Sequence, residues 1–131
     1  MWYSLNGVLI SGEERRMALK TLEKGLGLLK KDGWCQGIYR DEKTHRMCAW
    51  GSVKQTVRTG LNPPSSGVTA QLLKAGALKV TPGSRVLKED RMTSIDNIIA
   101  WNDVRGRTAA QVTRAFQHAI TIGKGLKGTR G

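Results

Sequence analysis

Carboxylates are missing from two long stretches of this 131-residue chain. Between Lys43 and Lys88 there are eight Lys or Arg and no Asp or Glu, and from Val104 to Gly131 there are six more, again with none. The remainder is nearly balanced, so the formal charge of +12 belongs to these two segments. A surplus arranged this way favours a polyanionic partner, because neutralising phosphates releases condensed counterions. Long apolar runs are absent too. No stretch of eighteen residues is apolar enough to cross a bilayer as a helix. Met1–Ile10 has neither a basic leader nor the small-residue cleavage site of a secretory signal. The expectation is therefore a cytoplasmic chain with no membrane partner. Only two cysteines occur, Cys35 and Cys48, and in that compartment both are expected as reduced thiols. Aromatics are sparse at 5%, yet four of them are Trp. Trp34, Trp50 and Trp101 sit in segments of helical or core character, which predicts core anchors rather than exposed platforms for bases.

What is present reads as one domain of mainly helical class. A single compact bundle of about four to five helices is expected over residues 1–122, with one or two short β-hairpins and a flexible basic tail over 123–131. Asn6-Gly7 between Trp2–Leu5 and Val8–Ile10 predicts a hairpin with a type I′ turn. Ser11 and Glu14 form a capping-box pattern ahead of apolar residues spaced three and four apart, which predicts a helix from about Gly12 to Lys31. Gly25 and Gly27 weaken it by roughly 1 kcal/mol each relative to Ala, so either a neighbour packs closely there or the helix is soft. A second helix is expected from about Arg46 to Arg58. Asn62–Gly67 breaks the pattern, and a short helix around Val68–Ala75 follows. Residues 78–87 fit either a second hairpin or a basic loop. Thr93 or Ser94 caps a helix through Trp101, and Thr108 with Gln111 caps a last one whose apolar face is Val112, Ala115, Phe116, Ala119 and Ile120. Four glycines in the final nine residues, with three cations, make the tail.

No motif for catalysis stands out. Cys35 with His45 or His118 has the residue types of a thiol nucleophile and its base, without a recognisable spacing. His45, Cys48, Cys35 and His118 supply four zinc-type ligands, but not as paired knuckles. Asp41-Glu42 and Glu89-Asp90 are adjacent carboxylates in turns, suited to solvation or capping. Gly37-Ile38-Tyr39 lacks the second half of a nuclease signature, and Gly123-Lys124-Gly125 lacks the strand and the spaced Gly-Lys-Ser/Thr of a phosphate loop. No catalytic residue, metal ligand or cofactor is assigned.

The binding expectation rests on cations. Lys54, Arg58, Lys74, Lys79, Arg85, Lys88, Arg105, Arg107, Arg114, Lys124, Lys127 and Arg130 are the candidate contacts to nucleic acid or to an acidic protein surface. Ile98–Gln117 also fits a helix-turn-helix whose second helix carries Gln111, Thr113, Arg114 and Gln117, although the Asn102–Arg107 turn is long for that motif. The plainer reading is a helical hairpin that closes the core.

Gly33-Trp34-Cys35-Gln36-Gly37, Cys48-Ala49-x-Gly51, Ile98-x-x-Trp101-Asn102-Asp103 and Gly106-Arg107-Thr108, in this order and spacing, resemble a family of small uncharacterised proteins from actinobacteria and their phages. The resemblance runs from about Ser11 to Ile122 and is weaker from Asn62 to Asp90. It implies a compact, mainly helical domain of unknown function and carries over no activity, substrate or catalytic residue. It also implies that Trp34, Gln36, Cys48, Trp101, Asn102 and Asp103 belong to one core junction or one site, with Cys35 between them in sequence. Three functional expectations stand side by side. The first is a small non-enzymatic, phage-encoded protein that binds nucleic acid or a nucleic-acid-processing machine. The second is a module that docks on a host protein and modulates it. The third is a small enzyme or ligand-binding protein that uses the Trp34/Cys35/Gln36 and Trp101/Asn102/Asp103 junction.

Overall fold

The computed structural model describes residues 1–57 and 65–129. Among these, five helices and three short strands form a mainly helical fold. Strands β1 (Trp2–Leu5) and β2 (Val8–Ser11) pair antiparallel from Trp2↔Ser11 to Leu5↔Val8, leaving Asn6 and Gly7 as a two-residue turn. Both turn residues have positive φ, 50° and 80°, as a type I′ turn requires. A third strand, β3 (Gly128–Thr129), pairs antiparallel with the other edge of β1. The boundary expected at Ile122 therefore falls inside the last helix, and the segment read as a flexible tail is tied to β1 as far as Thr129. Backbone pairing outweighs the glycine content there. Ser4 N–H also donates to the Lys127 carbonyl (3.3 Å).

Helix α1 (Gly12–Asp32) starts at a true capping box. Ser11 Oγ accepts from Glu14 N–H, and Glu14 Oε1 accepts from Ser11 N–H, both at 3.1 Å. Its two interior glycines differ. A Cβ on Gly25 would stand 3.2 Å from both Phe116 and Ser52, whereas one on Gly27 would meet nothing within 4 Å. Close packing explains the first glycine, and the second only softens an exposed turn.

Helix α2 (Ala49–Gln55) is shorter than the expected 46–58. Met47 is held extended as the middle of three chain segments, bridged to Trp34 on one side and to Arg40 on the other. The backbone turns helical only after Cys48, whose sulfur accepts from Gly51 N–H (3.2 Å) as the N-cap. Helix α3 (Ser66–Val80) takes in the first three residues of the 78–87 stretch, and turns fill 81–87, so the loop alternative holds there and the hairpin does not. Leu72, Leu73 and Ala77 are fully buried on helical spacing, and that packing carries the helix on through Val80, over the strand preference of the segment. Turns then lead to α4 (Ser94–Asn102), capped by Thr93, and to α5 (Ala109–Lys124), which opens with the Thr108/Gln111 capping box.

The tightest helix pair is α3 with α5. A side chain on Gly76 would collide with the backbone of Ala115 and Ala119, and one on Gly123 would stand 3.3 Å from Leu72, so the two helices run antiparallel in near contact. Helix α1 covers α3 and α5, while α4 packs on α2 and α3. Trp50, Trp101 and Phe116 are fully buried among these layers, and Trp34 packs on their edge. No helix among the described residues is long and apolar enough to cross a membrane.

Candidate functional site

Two regions hold the residues singled out by sequence. The first is a junction where the 33–48 segment meets the C-terminal end of α4. Its centre is the buried side chain of Asn102. Oδ1 accepts from Trp34 Nε1–H (2.6 Å) and from the N–H of Ala49 (2.9 Å), and Nδ2 donates to the Cys35 carbonyl (3.2 Å) and to Asp103 Oδ1 (3.0 Å). An amide has two acceptor lone pairs and two donor hydrogens, so Asn102 has no capacity left. Gln36 Nε2 donates to the carbonyls of Asn102 and Val104, at 3.0 and 2.9 Å, and satisfies groups that the end of α4 leaves open. Asp103 Oδ1 also accepts from Gly37 N–H (2.9 Å).

Trp101 closes the other side. Its Nε1–H donates to Thr81 Oγ1 (2.8 Å), and Arg107 lies 4.2 Å over its ring while donating to the Trp101 carbonyl (2.9 Å) and to Gln111 Oε1 (3.1 Å). Partial burial lowers the Arg107 pKa from the usual guanidinium value. The structure thus brings Trp34, Cys35, Gln36, Asn102 and Asp103 together, with Trp101 and Arg107 on the far side of Asn102. Their polar atoms are largely engaged with one another. A cavity of about 270 Å³ beside them is lined by Gly37, Ile38, Tyr39, Cys48, Ile99 and Asp103.

The thiols are unsuited to act as ready nucleophiles here. Burial pushes Cys48 up to about 11, with the carboxylate of Asp103 and the neighbouring Cys35 adding to the effect. Burial, then the charge of Asp41, raises Cys35 as well. Its Sγ donates to the Ile38 carbonyl (3.7 Å), while His45 Nδ1 lies 2.7 Å from the Arg40 guanidinium and His118 is exposed on α5. The proposed zinc set of His45, Cys48, Cys35 and His118 does not converge among the described residues.

The second region is cationic. Because α3 and α5 pack antiparallel, one helix from each carboxylate-free segment meets in a single layer, while α2, also free of carboxylates, packs on α1 and α4. Lys79 on the last turn of α3 lies toward the end of that layer where Arg105 and Arg114 flank the start of α5. Lys79, Arg85, Lys88, Arg105, Arg114 and Lys127 are exposed. Others are already engaged. Lys54 sits 4.3 Å over the Tyr39 ring, Lys74 Nζ donates to Asn97 Oδ1 (3.1 Å), and Lys124 is 3.6 Å from Glu23. Arg107 belongs to the junction. Arg58 and Arg130 lie outside the described residues, as does the Asn62-Pro63-Pro64 part of the expected loop.

Helices α4 and α5 both bury residues in the core, as the plainer reading expects, but pack chiefly on other helices, α4 on α2 and α3 and α5 on α1 and α3, rather than as the close pair of a helix-turn-helix. Gln111 is held by the N-cap and by Arg107, but Arg114 and Gln117 are exposed. Sequence reasoning missed Thr81, the partner of Trp101, and the Ala49 N–H, the partner of Asn102. Neither lies near its partner in sequence, so no local spacing marks it.

The stretch that holds the junction and the α3–α5 layer, residues 14–122, matches the family of unknown function DUF6197. The chain belongs to that family. The DUF6197 match begins in the first turn of α1 and ends inside α5, so the three-stranded sheet stands outside it. No curated protein and no solved structure matches the chain.

Proposed function

We propose that this protein binds nucleic acid, without catalysing a reaction on it, through the cationic layer of α3 and α5 and the segments flanking them. One observation carries the reading: α3 and α5, one from each long carboxylate-free segment, pack against each other, so cations of both segments are carried on one helix pair. The acidic side chains are sited on α1, on α4 and its C-cap, and in the 41–42 and 89–90 turns. Among the described residues, Lys79, Arg85, Lys88, Arg105, Arg114 and Lys127 have no carboxylate within 4.0 Å. Such charges cost little to bring to a phosphate backbone and give little folding stability. The resemblance to actinobacterial and phage proteins supports a role in a bacterial cytoplasm, on nucleic acid or the machinery that handles it.

The test is fluorescence anisotropy with a 20-base-pair duplex and a single strand of the same length, over a range of salt. Affinity for the duplex should fall with a log–log slope of roughly −0.9 per phosphate contacted. The double variant Arg105→Glu/Arg114→Glu should bind at least tenfold more weakly, with a shallower slope and an unchanged denaturation midpoint. Salt-independent binding, or none above that of a neutral protein, removes the proposal.

A further inference from the structure

A concavity of about 900 Å³ lies apart from the junction, and its floor is one stripe of α3: Gln71, Lys74, Ala75 and Leu78. Val8 of β2, Ile122 of α5 and Pro82 add aliphatic groups to the walls, with Asn6 and Ser94 at polar positions. Val8 is the telling residue. It pairs directly across the hairpin with Leu5, so both side chains point to the same face of the sheet, yet Leu5 is 2% exposed and Val8 51%. The apolar face that covers the core at Leu5 therefore continues, uncovered, into the groove.

Two ammonium groups accompany this apolar lining. Lys74 is pinned by its hydrogen bond to Asn97, and Lys79, one turn on, is exposed. No carboxylate and no aromatic ring contributes to the lining. Single-stranded bases are held mainly by stacking on π faces, which this groove does not offer. Aliphatic groups at Val8, Ala75, Leu78, Pro82 and Ile122, with one pinned and one free ammonium beside them, instead match an amphipathic helix with apolar residues at i, i+3, i+4 and i+7 and carboxylates beside them. The floor residues Gln71 to Leu78 span about two turns of α3, which sets the docked stretch at roughly two turns as well.

We propose that this groove docks an acidic amphipathic helix of a partner protein. The groove shares Lys79 with the cationic layer, but neither Arg105 nor Arg114 lines it.

The experiment titrates the full chain into a fluorescein-labelled 16-residue peptide with leucine at i, i+3, i+4 and i+7 and glutamate at most other positions. Saturable binding is expected. A peptide of equal charge with serine for leucine should bind at least tenfold more weakly. Val8→Asp and Lys79→Glu, both exposed changes, should each weaken the leucine peptide at least tenfold. Arg105→Glu/Arg114→Glu should not, which keeps this outcome distinct from that of the nucleic-acid test. Equal binding of both peptides shows charge attraction alone and overturns the proposal. So does absence of saturation up to millimolar concentration. Competitive displacement of the peptide by a single-stranded oligonucleotide, with that strand's own binding lost in Val8→Asp, assigns the groove to nucleic acid instead.

Discussion

The junction around Asn102 and the layer of α3 and α5 handle polarity in opposite ways. At the junction nearly every polar group faces another, and one amide side chain links Trp34, Cys35, Ala49 and Asp103. In the α3–α5 layer the inside is apolar and close-packed around Gly76, while Lys79 and Arg114 outside are left to solvent. A site that satisfies itself has little left for a ligand. A layer with unpartnered charges such as Lys79 and Arg114 can take a partner there without breaking anything inside the protein. The difference teaches that density of polar residues is a poor guide to function when those residues bond each other.

The largest expected effect breaks the junction. Asn102→Ala strands the Trp34 and Ala49 donors and the Cys35 carbonyl, and should destabilise the fold by about 4 kcal/mol in urea denaturation. A loss under 1 kcal/mol would show that water replaces the amide. Next, Gly76→Leu forces α3 away from the backbone of Ala115, at about 3 kcal/mol. Because that change parts the layer from within, it should also weaken nucleic-acid binding, whereas Asn102→Ala should not do so at temperatures where it stays folded.

A pH titration probes the junction from another side. The Cys48 thiol is raised in the folded state from an ordinary 9.0 to about 11. The unfolded chain therefore loses that proton first. The stabilisation is complete below about pH 9 and is lost as pH rises toward 11, by about 2–3 kcal/mol. Cys48→Ser should flatten this decline relative to the parent chain. A decline of equal steepness in both assigns it to other groups. The smallest effect is a gain in the layer. Thr69 on α3 is fully buried, and its hydroxyl has no hydrogen-bond partner among the described residues. Thr69→Val should add about 1 kcal/mol, and an unchanged or lower midpoint would point to a bound water.

Much of the fold was legible because its signals are local. Ser11/Glu14, Thr93 and Thr108/Gln111 mark three helix starts, and Asn6-Gly7 marks the hairpin, each by groups a few residues apart. What could not be read depends on distance in sequence. Met47 looks like the start of a helix until Trp34 and Arg40 hold it extended. Residues 78–80 look strand-like until packing makes them helical. The site divides similarly. The grouping of Trp34 and Gln36 with Asn102 and Asp103 came from a resemblance, and its saturation became visible only with the bonds drawn. The cations were evident from composition, but Arg107 and Lys74 are engaged by Trp101 and Asn97, which no charge count reveals.

The pairing of β1 with β3 joins residues separated by almost the whole chain. Closing so long a loop costs conformational entropy that local contacts do not, so this pairing has the character of a late event. On the ribosome, β1 and β2 emerge long before β3, as a two-stranded ribbon too small to be stable alone. Trp2 must then wait for Thr129 before its second edge is covered. The sheet thus depends on the stretch beyond α5: a chain cut inside that helix leaves this edge of β1 open.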